Sequence, residues 1–518
     1  MASEPASNSA RPEGTVAFGS LSEGTAILVL VAVFLAILMG AMDSLVVATV
    51  LPRIAVDLHQ VNGVTFVVSA YLISSTISIP IFSRLSDITS RRNVFLTGLV
   101  VFIAGSACAG LSQNLTELIV FRGIQGFGGG GVFPVAIAMV AVMFPPKIRA
   151  QVTGVLAGAA GLAIVLGPLV GSYIVSVTTW RWVFYINLPF GILAILVMMF
   201  AVGALRPTTP GSFDAPGAAL MTGWVGALMF ALVQVADAGW AWTNPAVLAL
   251  LGTAGVLLGL FLWWETRVKE PLVPLRLLRQ RVIAASSGTM LFTGVVFSAF
   301  ITFLSVFVGL LILHGGPNSA AEVRDIIYFL AIPLVLGATL GGPILNRVPY
   351  RVLIAPGLLV ASVAAFLLTG LSTSTPLWVL AFGFLPVGGI ALPLIPLGLG
   401  LGVSLSGTTI AVQNEAPAAD VGAAIGLTRF FQSLGGALGI SLLTVYLNDA
   451  GASLASTYDR IFLVLAACIA IAFVFSLFFV GRVPRTPAED KEHVIAPSGS
   501  PPARDAAPSL VPEVNDPR

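Results

Sequence analysis

The stretch LAILMGAMDSLVVATVLP, residues 35–52, carries a single ionisable side chain, the carboxylate of Asp43, in an otherwise apolar run. A helix needs roughly 20 apolar residues to cross the hydrocarbon of a bilayer, and the run that contains this stretch is long enough. Two explanations of Asp43 are open. It lies at a helix end in contact with water, or it binds a proton or pairs with a cation inside the membrane.

The composition of the whole chain agrees with this apolar stretch. Of 518 residues, 57% are hydrophobic and 9% are charged, and the mean hydropathy is +0.99. Soluble domains carry about 25% charged residues, so the composition excludes a soluble fold and predicts an all-α polytopic membrane protein. Cys108 and Cys468 fall in apolar runs, which predicts packed thiols without a disulfide or metal framework. No cofactor is expected.

Proline, glycine, asparagine and charged residues divide the apolar sequence into fourteen predicted spans. These are residues 25–50, 62–82, 93–112, 116–143, 151–176, 182–204, 216–236, 244–264, 284–313, 325–346, 352–371, 377–412, 421–447 and 460–480. With the N-terminus inside, most Lys and Arg residues of the short loops fall on the inner side, as the positive-inside rule requires. The sequence therefore predicts a multi-pass protein of the inner (plasma) membrane with both termini cytoplasmic.

The predicted spans group into two blocks of six that are separated by two spans. The basic, amphipathic segment ETRVKEPLVPLRLLRQR, residues 265–281, precedes the ninth span, and spans seven and eight carry none of the motifs described below. The prediction is a disordered cytoplasmic tail, an N-terminal six-helix bundle, two linker helices with the basic inner segment, a C-terminal six-helix bundle and a second disordered tail. Their residues are 1–24, 25–204, 205–283, 284–480 and 481–518.

Three segments do not fit a simple helical crossing. Residues 377–412 are too long for one span and are predicted to form a helix kinked by Pro and Gly. Residues 314–325, HGGPNSAAEVRD, could form an outer hairpin or lid, or an ordinary polar loop. The run 421–447 would be about 40 Å long as one helix, which exceeds a hydrocarbon core of about 30 Å. It therefore tilts or projects from the outer face.

Three ionisable residues lie deep inside the predicted spans: Asp43, Arg122 and Arg429. A charge at mid-bilayer costs about 2.5–3.5 kcal/mol on insertion scales. Such residues therefore usually face a protein interior or an aqueous cavity, where they pair with an opposite charge. Arg429 is the preferred partner of Asp43, because that pair would join the two blocks, and Arg122 is the alternative. Protonation of Asp43 would release the pair and make it a coupling device; a static structural pair is the competing interpretation.

An inner loop carries a compact charge motif. SRLSDITSRRN, residues 83–93, places Asp87 four and five residues before Arg91 and Arg92. The acid can cap a helix and form a salt bridge across to another helix, while the arginines anchor at the headgroups. The alternative explanation is that these basic residues only follow the positive-inside rule and have no further role.

Two glycine-rich stretches indicate close helix packing. VFRGIQGFGGGG, residues 120–131, places Arg122 before a run of glycines that permits helices to approach closely. GLAIVLGPLVGSYI, residues 161–174, places Gly167, Pro168 and Gly171 in mid-span. The second stretch favours a bendable, closely packed seam, which is a candidate rocking surface.

The order and spacing of these motifs resemble the major facilitator superfamily, in particular its fourteen-helix drug:proton antiporter branch. The matching residues are Asp43, Leu51 and Pro52; Asp87, Arg91 and Arg92; Arg122, Gln125, Gly126 and Gly128; and Gly167, Pro168 and Gly171. WRWVFYINLP (180–189) also matches that branch, and LTRFFQSLGGALG (427–439) resembles its counterpart in the rear block. Ser83 and Ser172 stand where the family usually has glycine.

The resemblance implies a family fold of fourteen helices and an exporter that works by alternating access on the proton-motive force. It implies proton coupling through Asp43 and Arg122, with Arg429 as a candidate member of the ion lock, and a cytoplasmic gate at Asp87, Arg91 and Arg92. Within the branch the sequence resembles lipoprotein-linked efflux pumps. That likeness implies triacylglyceride-like lipids and/or hydrophobic drugs as cargo, and a periplasmic lipoprotein as a candidate partner of a monomeric transporter.

Several functional alternatives remain at this point. The scarcity of acids in the rear block favours neutral, apolar or anionic cargo over dications. The rival within transport is a general multidrug:proton antiporter without a lipid role, and the rival from another class is a transport-inactive membrane sensor or scaffold. An enzyme is disfavoured, because His59, His314 and His493 lie in loops or the tail without a neighbouring nucleophile. No nucleic-acid partner is expected.

Overall fold

The computed structural model describes most of the chain between residues 23 and 479. The described ranges are 23–59, 66–144, 146–201, 211–236, 239–306, 319–345, 347–369, 380–382, 385–387, 391–417, 420–448 and 454–479. The two predicted tails fall almost wholly outside these ranges.

The first half of the molecule is helical throughout its described part. We call it the front half, and its helices are α1 (Glu23–Asp57), α2 (Phe66–Ile88), α3 (Arg91–Leu111), α4 (Leu115–Met143), α5 (Pro146–Val177), α6 (Trp182–Tyr185) and α7 (Asn187–Ala201). The short α6 and the longer α7 together occupy the sixth predicted span.

Two helices and a basic segment connect the front half to the rear half. The connecting helices are α8 (Ala215–Ala236) and α9 (Pro245–Glu265), followed by a 3-10 turn at Leu275–Arg279. The rear half contains α10 (Arg281–Val306), α11 (Ser319–Leu345), α12 (Tyr350–Leu367), the strands β1 (Leu380–Phe382) and β2 (Leu385–Val387), α13 (Ala391–Glu415), α14 (Val421–Asn448) and α15 (Leu454–Ser476).

Each of the fourteen predicted spans overlaps a described helix, which confirms the helical polytopic fold. Within the described residues, thirteen spans are long and apolar enough to cross a membrane. The remaining helix, α14, has 28 residues but carries Thr428, Arg429 and Gln432 in its middle. It packs against α2, α4, α8, α10 and α13. Neighbouring helices therefore shield this more polar helix.

Two local predictions are wrong. Residues 377–412 do not form one kinked helix, because β1 and β2 pair as an antiparallel hairpin with Leu380 opposite Val387, and α13 begins only at Ala391. Pro386 and the glycines that follow it disfavour helix in this segment. The segment 314–325 is not a hairpin or polar loop in its described part, since α11 begins at Ser319; residues 314–318 lie outside the described residues.

The halves meet through a few helix pairs, chiefly α2 with α14 and α5 with α11. Of the connecting helices, α8 packs against α2 and α14, and the Trp224 ring lies 5.9 Å from that of Phe430 and 6.5 Å from that of Phe261. Most of α9 is exposed on the outside of the molecule. The grouping into two six-helix bundles with two linker helices stays a prediction.

Candidate functional site

Polar side chains inside the membrane region lie at three levels along α4, α2 and α14. The level nearest the predicted outer face is the acid cluster, which contains Asp43, Arg122, Gln125 and Asn187. The middle level surrounds Arg429. The level at the predicted cytoplasmic, or inner, ends of the helices is the latch, formed by Asp87 and Arg91 with the first residues of α14.

Asp43 on α1 is the centre of the acid cluster. Its side chain is buried, and its Oδ2 atom lies 2.5 Å from Nη1 of Arg122 on α4. Its Oδ1 atom accepts hydrogen bonds from Gln125 Nε2 at 2.9 Å and from Asn187 Nδ2 at 2.8 Å. One carboxylate therefore holds together three helices, α1, α4 and α7, through charge-assisted hydrogen bonds.

Arg122 is fully buried, and several groups besides Asp43 hold its guanidinium in place. Nη1 also donates to Gln125 Oε1 at 2.8 Å, and Nε donates to the Val67 carbonyl at 3.2 Å. The guanidinium carbon lies 4.3 Å from the centroid of the Tyr71 ring, a cation–π contact. Nη2 has no acceptor among the described residues. Loss of the Asp43 charge would leave this cation without its only counterion in the described part.

The preferred prediction for the partner of Asp43 is wrong, because the structure pairs Asp43 with Arg122, the alternative, and not with Arg429. The reason is that the two arginines lie at different heights when both are measured along α4. Arg122 belongs to α4, whereas the Arg429 guanidinium lies over the ring of Phe133, eleven residues further along that helix. At 1.5 Å per residue the two levels are about 16 Å apart, so Asp43 cannot reach both arginines.

Arg429 occupies the middle level on α14. Its guanidinium carbon is 3.7 Å from the Phe133 ring centroid, Nη1 donates to Gln432 Oε1 at 2.6 Å, and Nη2 donates to Thr409 Oγ1 at 3.4 Å. Within the described residues no carboxylate lies within ion-pair distance of it. Its side chain is half-buried. Arg429 is therefore a cation between the halves with hydrogen-bond partners and an aromatic neighbour but no counterion there.

The latch joins α2 to α14 at their inner ends. The Asp87 carboxylate is buried, accepts a hydrogen bond from Arg91 Nη2 at 3.0 Å, and accepts the backbone N–H groups of Gly422 and Ala423 at 2.9 and 2.6 Å. These N–H groups belong to the first turn of α14, where a carboxylate is favoured by the helix dipole. A side chain of the front half thus caps a helix of the rear half.

The other residues of the inner motif have different positions. Arg92 faces away from α14 and donates to the carbonyls of Met198 and Met199 at the end of α7. Ser83, the departure from the family pattern, lies against Gly426 of α14, where an added Cβ would overlap it. The small residue on one helix therefore fits the glycine on the other, and α2 and α14 can approach closely.

The Gly-Pro seam lies on α5, next to the helix that carries Asp43. Gly167 faces Leu45 and Met42 of α1, and an added Cβ would lie 2.8 Å from Leu45 Cβ. Pro168 lies within α5, and Gly171 is buried. The inner half of the same helix faces α11 through Gly154, with Ala338 and Thr339 opposite. One helix therefore contacts both α1 and the rear half.

Sequence reasoning missed two polar contributions. Asn187 was part of a matched motif, but its role as a donor to Asp43 was not predicted; a lone amide in an apolar span is the signal that could have found it. Gln413 on α13 accepts from Thr153 at 2.9 Å and donates to the Ile137 carbonyl at 3.0 Å. It joins the two halves through α4 and α5, and nothing in its local sequence distinguishes it.

Comparison with known proteins agrees with this geometry. The family model described as Major Facilitator Superfamily matches residues 33–440. The multidrug transporter protein MdtP of Bacillus subtilis is 32% identical over 428 residues, which cover 82% of this chain and 76% of that protein. The tetracenomycin C resistance and export protein of Streptomyces glaucescens is 29% identical over 420 residues, covering 80% of this chain and 75% of that protein.

A solved structure has a similar fold. The crystal structure of the human organic anion transporter MFSD10 (TETRAN) superposes with a TM-score of 0.60 over 87% of this chain and 99% of that chain. The sequence identity is 16%, so this likeness concerns the helical architecture alone.

Proposed function

This chain belongs to the Major Facilitator Superfamily, and from that premise we propose that it exports hydrophobic small molecules by proton-coupled alternating access. The superfamily consists of membrane transporters and not of enzymes. The names of its relatives, a multidrug transporter and a tetracenomycin C resistance and export protein, support efflux as the direction and small molecules as the cargo. The observation that carries proton coupling is the buried pair of Asp43 and Arg122.

The acid cluster supports coupling because its neutral and charged forms hold the helices differently. The ionised Asp43 carboxylate accepts from Arg122, Gln125 and Asn187 on two other helices. A proton on that carboxylate removes the charge opposite Arg122 and converts one acceptor oxygen into a donor. The contacts of α1 with α4 and α7 then weaken together. In this proposal the proton acts on the packing of α1, which also faces the Gly-Pro seam of α5.

The latch supports alternating access because it joins the two halves at their inner ends. Asp87 and Arg91 from the front half and the first turn of α14 form its polar part. The hydrogen bonds of Gln413 with Thr153 and Ile137 also join the two halves. We infer that the structure represents a conformation closed at the inner ends, and that transport breaks these bonds to open a cytoplasmic entrance.

The surroundings of Arg429 bear on the cargo. A half-buried guanidinium without a counterion in the described part repels cations and attracts anions or electron-rich groups. Neutral or anionic hydrophobic compounds are therefore the favoured cargo. The same feature is compatible with a second candidate, export of triacylglyceride-like lipids, because ester carbonyls are acceptors for a guanidinium. A periplasmic lipoprotein is the partner proposed for that candidate.

The test is transport in proteoliposomes with an imposed pH gradient. The probes are a neutral hydrophobic dye, a cationic dye of similar size and labelled triacylglycerol. We expect gradient-driven movement of the neutral dye by the wild type and its loss in Asp43→Asn, which keeps the size of the side chain. The control for folding is a single cooperative thermal unfolding transition of the variant in detergent, at a lower temperature than in the wild type because Arg122 has lost its counterion.

Each other outcome selects a different function. Full gradient-driven transport by Asp43→Asn would make Asp43 a structural residue. Movement of the dyes without movement of triacylglycerol would leave a general multidrug antiporter. A folded wild type that moves no probe under any gradient would favour the sensor or scaffold.

A further inference from the structure

A polar pocket of about 280 Å³ lies where the connecting helices meet the rear half, and neither the acid cluster nor the latch uses it. It is formed by the end of α9 and the basic segment before α10, and its lining includes Glu265, Lys269, Arg276 and Arg279. Helix α9 ends at Glu265 and α10 begins at Arg281. The pocket therefore lies at one membrane face, at the depth where two consecutive helices leave the hydrocarbon.

The pocket presents three cations with unused donors. Lys269 and Arg279 are exposed, and neither has a carboxylate within ion-pair distance among the described residues. Arg276 pairs with Asp420, but Nη2 alone makes both contacts, at 2.8 and 3.1 Å. Its Nε and Nη1 groups take no part in that contact and can donate elsewhere. The geometry thus offers an ammonium and two guanidinium groups around one space.

The carboxylate in the lining does not cancel this charge. Glu265 is buried, and its Oε1 accepts the backbone N–H of Val273 at 3.2 Å, so it orders the loop that forms the pocket. Three cations against one carboxylate leave the lining positive. Guanidinium and ammonium groups together are the donors that proteins use for phosphate.

The position of the pocket indicates where a phosphate would come from. Trp263, two residues before the end of α9, is half-exposed, and Arg267 stacks on its ring at 4.8 Å. Tryptophan with arginine is typical of the headgroup level of a membrane. Leu260 and Leu262 on the preceding turn are exposed apolar residues. The acyl chains of a lipid can lie along this surface while its headgroup enters the pocket.

We propose that this pocket binds the phosphate of an anionic phospholipid of the inner leaflet. Lys269 and Arg279 hold the phosphate, and Arg276 donates to it while remaining paired with Asp420. Because Asp420 directly precedes α14, the bound headgroup joins the connecting segment to the helix that carries the latch and Arg429. A basic pocket at the cytoplasmic ends of membrane helices is a recognised way to bind lipid headgroups.

The test is lipid retention by the purified full-length protein in detergent, measured by native mass spectrometry. The protein is incubated with equal amounts of phosphatidylglycerol and phosphatidylcholine with identical acyl chains. We expect the wild type to retain phosphatidylglycerol preferentially. Lys269→Gln combined with Arg279→Gln should lower that preference about thirtyfold, the effect of removing two basic contacts at a membrane surface.

The matched control is Arg281→Gln, which removes an exposed cation from the same basic segment but outside the pocket lining. It should keep the wild-type preference. An equal loss in Arg281→Gln and in the double variant would show general surface attraction and overturn the pocket. An unchanged preference in the double variant would overturn it as well. If equimolar inorganic phosphate displaced the lipid, the ligand of the pocket would be a soluble anion, and the lipid proposal would be overturned.

Discussion

Helices α4 and α14 carry the same local pattern, Arg-x-x-Gln, in different surroundings. Arg122 donates through Nη1 to Gln125 at 2.8 Å, and Arg429 donates through Nη1 to Gln432 at 2.6 Å. In both helices the two side chains are three residues apart and lie on one face. Beyond this shared bond the arginines differ: Arg122 is fully buried against Asp43, whereas Arg429 is half-buried against an aromatic ring and a hydroxyl.

The difference shows that tertiary neighbours, and not the local motif, decide what each arginine can do. The charge of Arg122 is neutralised inside the protein by Asp43, so in the proposed mechanism a proton on Asp43 would change its state. The charge of Arg429 has no counterion in the described part, so an external group can interact with it. The first arrangement suits a proton-controlled lock, and the second suits a contact with cargo.

The largest effect is expected from Arg122→Met. The variant leaves the Asp43 carboxylate buried and unpaired, which costs about 3–5 kcal/mol, and it should abolish transport. Asp43→Leu combined with Arg122→Met should recover most of the lost stability, because a buried pair replaced by apolar residues is often neutral, but not transport. Thermal unfolding in detergent and proteoliposome efflux measure the two effects.

A matched control tests whether burial matters in this first prediction. Arg53 on α1 pairs with Asp57 at 3.2 Å, and its side chain is 60% exposed. Arg53→Met should cost at most about 1 kcal/mol, as exposed ion pairs do. Similar costs for the two arginines, or a double variant no more stable than Arg122→Met, would contradict the view of Arg122 as half of a buried lock.

A smaller effect, on selectivity, is expected from Arg429→Gln. Because no carboxylate of the described residues is left unpaired, the free energy of unfolding should change by no more than about 1 kcal/mol. Export of an anionic dye should fall about tenfold relative to a neutral dye of similar size, since an attractive charge is lost. Parallel efflux assays with the two dyes measure this ratio. If export of both dyes fell equally, Arg429 would act in proton coupling and not in the choice of cargo.

A conformational effect is expected from Gly426→Val, which places a branched side chain against Ser83 in the latch. The inner ends of α2 and α14 should separate. Spin labels at Thr89 and Arg351, in a background without Cys108 and Cys468, should report a longer and broader distance by pulsed electron resonance. Gly252→Val on α9 is the control, because an added Cβ there meets nothing within 4 Å. A distance unchanged from wild type in Gly426→Val would show that this contact does not hold the halves together.

The sequence was sufficient for the helices because membrane spans follow from hydrophobic length, which is a local property. It failed at 377–412, where hydropathy alone cannot distinguish a strand hairpin from a helix. It also identified Asp43, Arg122 and Arg429 as buried charges, because ionisable residues in apolar runs are conspicuous. The pairing was wrong because partner choice depends on the relative height of residues on different helices, which no sequence window contains.

The smallest effect is expected at an ion pair in which only the carboxylate is exposed, a third case beside the buried pair and the arginine without a counterion. Glu270 in the basic segment lies 3.8 Å from Arg84 and is 39% exposed. The backbone N–H and the hydroxyl of Ser212 donate to its carboxylate and hold the pKa of Glu270 below its ordinary value of 4.5. A lowered pKa stabilises the fold above the unfolded value, and this contribution is lost as the pH falls through the folded value. Glu270→Gln should therefore unfold at a slightly lower temperature than the wild type at about pH 7, and the difference should shrink as the pH falls below 4.5. A difference that persists in acid would come from packing and not from charge.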